Sequence, residues 1–288
     1  MRIEARLPSS RYPSRVLERF QAHLEQRGLL SQKERILVGY SGGADSTCLV
    51  HLLQASEYEI VAAHLHHGQR PEADEEAEQC RKFADNLGIP FVLGKADVPL
   101  LAKEGGMGLE EAGRKARYHF FATAMRQTDC SRLATAHTQT DRVETVLLNM
   151  ARGSGLTGLS GLPERRDNIV RPLLAFTRQE TRQYCLDHGL WFHDDPANTD
   201  LGFRRARIRH RIVPEFELVN PRFGEAVSRL AELLAEEDDL LTSMAASALE
   251  QAEVELNGTL RFVTLDVEVA FDRARLASIP PALLKRAL

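Results

Sequence analysis

At 288 residues, 43% hydrophobic and 27% charged, the chain is long enough to bury a sizeable core and to form two domains. No apolar run nears the roughly 18 residues of a membrane-spanning helix, and the opening MRIEARLPSSRYPSR lacks the apolar centre of a signal peptide. A net charge of −4 argues against nucleic-acid binding through bulk charge, yet the charge segregates: Glu72 to Glu78 is acidic and Phe203 to Arg211 (FRRARIRHR) is densely basic. Cys48, Cys80, Cys130 and Cys185 are scattered with no C-x-x-C pair. They read as small core residues in a reducing compartment, so a cytoplasmic location without membrane contact is expected. Asn257-Gly258-Thr259 matches a glycosylation sequon, a chance match without a secretory signal.

In chain order, Ser14 to Leu24 has the spacing of an amphipathic helix, with Gly28 beyond its end. Ile36 to Val38 is a short apolar run suited to a strand buried on both faces, and Thr47 to Leu53 a helix. Ile60 to Leu65, Pro90 to Leu93, Leu133 to Ala136 and Ile169-Val170 read as further extended pieces. Between and after them, Glu72 to Leu87, Leu109 to Met125, Asp141 to Met150 and Thr177 to His188 read as helices. Strands alternating with helices predict right-handed βαβ units in a doubly wound parallel sheet, an α/β fold. After Asp194-Asp195-Pro196 the character changes. Arg222 to about Ala252 is one long helical pattern, Leu260 to Val269 alternates like a strand, and the last ten residues resemble the start of a helix. These features divide the chain into an α/β domain over 1–212 and a smaller, mainly helical domain over 213–288, with the natural protein continuing past Leu288 or existing as a short form.

Ligands of such sheets sit outside the carboxyl ends of the strands. Residues after successive strands should therefore converge, namely Ser41 to Ser46, His66 to Gly68, and His137 to Asp141. The segment Ser41-Gly42-Gly43-Ala44-Asp45-Ser46 turns from a strand into a helix N-terminus, and its glycines let backbone N–H groups approach an anion. It matches neither G-x-x-x-x-G-K-[ST] nor G-x-G-x-x-G. Asp45 would repel a phosphate unless a metal ion sat between them; its other reading is a plain helix N-cap.

SGGADS in this setting resembles the pyrophosphate loop, or PP-loop, of N-type ATP pyrophosphatases. Five further blocks follow in order: AAHLHHGQRPEADEEAE (62–78), LEEAGRKARYHFF (109–121), ATAHTQTDRVETVLLNMARGSGLTGLSGL (134–162), VRPLL (170–174) and DDPANTDLGFRRARIRHRIVPEF (194–216). Together they resemble bacterial tRNA(Ile)-lysidine synthetases. The resemblance implies an adenine nucleotide alpha hydrolase-like fold and a ligase that uses ATP and Mg²⁺. Its substrates would be free L-lysine and the wobble cytidine of an isoleucine tRNA with a CAU anticodon. Cytidine O2 would attack the α-phosphate, expelling pyrophosphate, and the lysine ε-amine would then displace AMP from C2. A homodimer is a further implication. The alternatives are another PP-loop tRNA-modifying enzyme of the thiolase type, and a nucleotide sensor without turnover.

The resemblance assigns ATP to Ser41, Gly42, Gly43, Ala44, Asp45, Ser46, Arg114 and His137, with Asp45 as the metal ligand; His66, following a strand, reads either as a further nucleotide contact or as a polar strand end. It places Arg117 at phosphate or substrate nucleotide, and Asp141 and Glu144 on the substrate side, where two carboxylates could hold an ammonium group. A capping-box-like pair, with Asp141 as N-cap, is the local alternative for those two. Arg152, with the glycine-rich stretch to Gly161, would admit the anticodon loop, and Arg205, Arg207 and Arg209 would follow the sugar–phosphate backbone. Three positions depart from the family pattern. Thr140 replaces an acid, Arg142 a glutamine and Ala206 an asparagine, so one negative charge is lost and one positive gained beside Asp141.

Overall fold

The computed structural model describes residues 15–66, 68, 73–194, 200–255 and 269–287. Helix α1 (Arg15–Arg27) precedes β1 (Ile36–Gly39), α2 (Ala44–Ala55), β2 (Ile60–His66), α3 (Ala73–Asn86) and β3 (Phe91–Lys95). Then come α4 (Val98–Glu104), α5 (Leu109–Thr128), β4 (Arg132–Ala134), α6 (Gln139–Ala151), α7 (Leu156–Leu159), β5 (Arg165–Arg166), β6 (Ile169–Val170) and α8 (Arg178–Asp187). The C-terminal part holds α9 (Arg204–Arg207), a π-helical turn (Ile208–Ile212), α10 (Val213–Val219), α11 (Phe223–Ala252), α12 (Arg273–Ser278) and α13 (Pro281–Ala287).

The sheet order is β3-β2-β1-β4-β6-β5, with β5 antiparallel to β6 and every other pairing parallel. Strand β1 is central, as its unbroken apolar run requires. Ile36 and Val38 pack with Phe20 of α1, Leu49 of α2 and Cys185 of α8, whereas Leu37 faces Phe121 and Ala124 of α5. The period-two alternation of one short strand thus anchors helices on both faces. Because β2 lies on one side of β1 and β4 on the other, strand order reverses at β1/β4. The loops after these two strands flank the crevice that forms there.

A third core cluster joins Val143 and Val146 of α6 to Ile208 of the π turn and Val227 and Ala231 of α11. The expected boundary near Val213 is therefore bridged by apolar packing against the α6 helix. Helices α4 and α7, strand β5, and the helical form of the basic stretch were not expected. The first of these was legible, since Asp97 caps α4 by accepting from Leu100 N–H at 3.0 Å. Most of the expected strand at Leu260–Val269 lies outside the described residues, as do His67 and the sequon. Among the described residues no helix is long and apolar enough to cross a membrane.

Helices α2 and α8 are fastened behind the crevice by an aromatic group. His51 Nδ1 lies 2.7 Å from the Tyr184 hydroxyl, and His188 stacks on the Tyr184 ring at 4.1 Å. Burial, aided by the neighbouring His188, pulls the His51 pKa down from 6.5 to about 4. The unfolded chain thus binds a proton at His51 that the folded chain refuses, so this group's contribution to stability falls as pH drops from about 6.5 towards about 4. Thermal melting from pH 7 to pH 4.5 is expected to show that loss. His51→Gln, which has no proton to gain, should flatten the slope.

Candidate active site

The 41–46 loop lies at the carboxyl end of β1 and is braced by its own serines. Ser46 Oγ donates to Gly43 O at 3.0 Å, lies 3.0 Å from Ser41 Oγ, and accepts from Ser41 N–H at 3.2 Å. Gly43 is the N-cap of α2 and offers no side-chain cap, which leaves the N–H groups of the first turn turned to the crevice. Asp45 is therefore not the N-cap, and that alternative for it falls. Gly42 is held at φ +80°, where a Cβ would stand 2.9 Å from Cys80 Sγ and 3.5 Å from the Trp191 ring. Gly42→Ala is expected to cost about 1–3 kcal/mol of stability and to disorder the loop, measurable by melting and by loss of nucleotide binding.

The Asp45 carboxylate turns across the crevice to α8. Oδ1 accepts a very short hydrogen bond from Thr181 Oγ1, and Oδ2 lies 3.1 Å from Arg178 Nε. The same guanidinium reaches Asp141 Oδ1 through Nη2 at 3.2 Å, so one arginine bridges carboxylates from the β1 and β4 sides. Asp141 Oδ2 accepts from both the N–H and the hydroxyl of Thr138, each at 2.8 Å, closing a capping box at the start of α6. The box sits three residues earlier than the expected one, with Thr138 as N-cap and Asp141 at its third position, and Glu144 takes no part in it. The two acids are tuned apart. Burial pushes Asp45 up to about 6, against the pull of Arg178 and Thr181. At Asp141 burial pushes upward too, but Arg178, His137 and the Thr138 bonds outweigh it and hold the acid below its ordinary value. His137, beside Thr135 Oγ1 at 3.0 Å, is brought down to about 4 by burial and is neutral at physiological pH.

Glu144, one turn further along α6, is fully buried. Its Oε1 accepts from Arg209 Nε at 2.6 Å, while Oε2 lies 3.7 Å from Arg205 Nη1 and accepts no hydrogen bond. The helical winding of α9 and the π turn puts Arg205 and Arg209 on one face, towards Glu144. Arg207 turns away, exposed, with Nη2 donating to Leu201 O at 3.3 Å. The arginines thus divide between a buried acid and the surface, instead of forming a single row.

A profile of the PP-loop domain family matches residues 13–216. The tRNA(Ile)-lysidine synthase of Petrotoga mobilis is 36% identical over 210 residues, covering 72% of this chain and 68% of that protein. The chain belongs to the tRNA(Ile)-lysidine synthase family. The Thermosipho africanus member is 39% identical over 230 residues, which are 78% of this chain but 54% of that protein; this chain spans about half the length of several curated relatives that it matches. A U34-tRNA thiolase from Methanococcus maripaludis shares the fold, with a TM-score of 0.64, 18% identity and coverage of 76% of this chain and 78% of that one.

In this lysidine synthase family member the remaining expected residues take no part in the Asp45–Arg178–Asp141 bridge. Arg117 is exposed on α5, and its charge, with those of Arg171 and Arg205, bears on His137. Arg114 is exposed and makes no hydrogen bond or ion pair among the described residues; nearby Glu111 pairs with Lys115 at 3.3 Å. His66 ends β2, where Nδ1 accepts from Gly68 N–H at 3.1 Å and Nε2 lies 3.5 Å from Asp74. Arg152 is exposed at the C-cap of α6. The glycine-rich stretch after it contains the α7 turn, pinned by Asn149 Nδ2 donating to Gly158 O at 2.7 Å. Among the described residues no three His, Cys, Asp or Glu side chains could hold a metal ion by themselves.

Arg178, Thr181 and residues 190–193 were missed in the sequence. One signal was available. Arg178 occupies the first turn of α8, where the helix dipole disfavours a cation, so it needed an anionic partner elsewhere. The 190–193 segment clamps the loop, with His193 N–H donating to Gly42 O at 2.8 Å and His193 Nε2 standing 3.2 Å from Glu76. No local pattern in the sequence announces that contact.

Proposed function

We propose that this chain performs the ligation named by its family: ATP-dependent attachment of L-lysine to C2 of the wobble cytidine in a CAU-anticodon isoleucine tRNA. AMP and pyrophosphate leave, and the codon read changes from AUG to AUA. The observation that carries the reading is the bridge of Arg178 between Asp45 of the PP-loop and Asp141 of α6. The bridge joins the loop after β1 to the start of α6, and it supports a reading with phosphate at the first and substrate at the second.

In this reading the free N–H groups of the α2 first turn receive phosphate oxygens of ATP, and Arg117 of α5, whose charge already bears on His137, adds to their pull. Arg178, lying between the nucleotide and lysine sides, neutralises charge that builds as pyrophosphate departs. Asp141 and the unused Oε2 of Glu144 are acceptors for the lysine ammonium, orienting its amine towards C2. Neutral His137 packs beside the nucleotide without adding charge. Asp45, with Asp141 beside it, supplies hard oxygen donors of the kind Mg²⁺ takes together with substrate phosphates, and the ion when bound would neutralise charge on the leaving pyrophosphate. In the same reading exposed Arg152 and Arg207 meet the anticodon backbone.

The thiolase alternative is less well supported, because all four cysteines are free and buried in the core. The cytoplasm is the proposed compartment. A homodimer belongs to the same proposal, since Leu230, Leu233, Leu240 and Met244 leave an exposed apolar stripe along α11 for a second copy to cover. AMP formation from ATP that depends on the isoleucine tRNA tests the reading. ATP binding with no AMP formed would favour a nucleotide sensor.

A further inference from the structure

Asp141 and Glu144 share α6 with a third charged residue that points the other way. Arg142 is 3% exposed; its Nε donates to Leu162 O at 3.2 Å and its Nη1 to Glu232 Oε1 at 2.9 Å. Its Nη2 lies 4.0 Å from Glu164 Oε1. Glu232, on α11, also takes Arg27 Nη2 of α1 at 3.0 Å, and Arg27 Nε stands 3.4 Å from Glu164 Oε2. Arg142, Glu232, Arg27 and Glu164 thereby close a ring of alternating charge across α6, α11, α1 and the segment before β5. His23 stands 3.6 Å from Glu164, but burial lowers its pKa, so it adds no charge at neutral pH.

The ring is also a packing joint. Gly161, at φ +67°, threads between the two helices, where a Cβ would meet Val146 Cγ2 at 2.9 Å, Arg142 Cγ at 3.6 Å and Ala231 Cβ at 3.9 Å. Helix α6 therefore has little freedom to slide or turn against α11 while the ring is closed. The acids that meet Arg178 and Arg209 lie one and two positions from Arg142 and move with it as one helical body.

We propose that Arg142 is a positioning residue for lysine transfer. Through Glu232 it fixes the orientation of α6, and so the places of Asp141 and Glu144, and it makes a displacement of α11 felt in the active site. The extra positive charge that departs from the family pattern is thus spent away from the crevice. The inference rests on the ligation reading given above.

The test compares wild type, Glu232→Gln, Arg142→Gln, the double variant and the conservative variant Arg142→Lys. For each, kcat and KM for ATP and for lysine are measured beside the melting temperature. A cleft of about 310 Å³ lined by His23, Gln26, Arg142, Glu164 and Glu232 runs along the ring, so shortened or neutralised side chains admit water and the variants are expected to fold. Either single variant should lower kcat for lysine transfer about tenfold with the KM for ATP unchanged. The double variant should be no worse than either single one, and Arg142→Lys, which keeps a cation beside Glu232, should retain more activity than Arg142→Gln. Lowered melting temperatures with wild-type kcat, or losses that multiply in the double variant, would overturn the proposal. A wild-type protein that transfers no lysine at all would remove the ligation reading, and the proposal with it.

Discussion

Asp45→Ala is expected to reduce pyrophosphate release from ATP by a hundredfold or more, about the loss seen when a charge-stabilising group is taken from an active site, while the chain stays folded. The fold should tolerate the change because each partner of Asp45 keeps a second contact. Thr181 Oγ1 can donate instead to Arg178 O, 2.9 Å away, and Arg178 keeps its contact with Asp141 at 3.2 Å. What disappears is the only carboxylate inside the PP-loop, and with it the group we propose for Mg²⁺. Unchanged circular dichroism and tRNA binding, with AMP formation abolished, is the expected pattern. Near-wild-type AMP release in the presence of tRNA would remove Asp45 from the chemistry.

Arg209→Met should act on stability and on catalysis together. Glu144 is fully buried, and Arg209 supplies its one close hydrogen bond, at 2.6 Å; Arg205 remains 3.7 Å away. Breaking a buried pair from one side strands the other charge, at a cost of about 3 kcal/mol. Denaturant unfolding reads that loss. Replacing both members, as Glu144→Gln with Arg209→Met, should recover much of the stability but not the activity, since Glu144 Oε2 is the acceptor proposed for the amine. A single variant as stable as wild type would mean that Arg205 already neutralises Glu144 by itself.

The sheet was legible because its determinants are local. Ile36 to Val38 could only be a strand covered on both faces, and the Gly-Gly turn after it placed a helix N-terminus at its end. Asp45 could be singled out by its incongruity, a carboxylate in an anion loop. Its partner could not be read the same way, because Arg178 and Thr181 sit more than 130 positions further on, and only the packing of α8 against α2 brings them there. The basic run Phe203 to Arg211 shows the limit differently. Its charge was plain, but its direction depends on a helical turn and a π turn that divide Arg205 and Arg209 from Arg207. Arg142 likewise looked like a disturbance of the lysine side. Three-dimensional placement turns it towards Glu232 on α11, a residue that no reading of the segment around Asp141 could supply.

In the proposed reaction the PP-loop and the α6 carboxylates act on one tRNA base. Incubating the protein with ATP, Mg²⁺, radiolabelled L-lysine and isoleucine tRNA carrying a CAU anticodon tests it directly. Label is expected in the tRNA at the wobble cytidine, with one AMP formed per lysine transferred. AMP formed with no label entering the tRNA, or label entering equally with Asp141 and Glu144 both replaced, would contradict it.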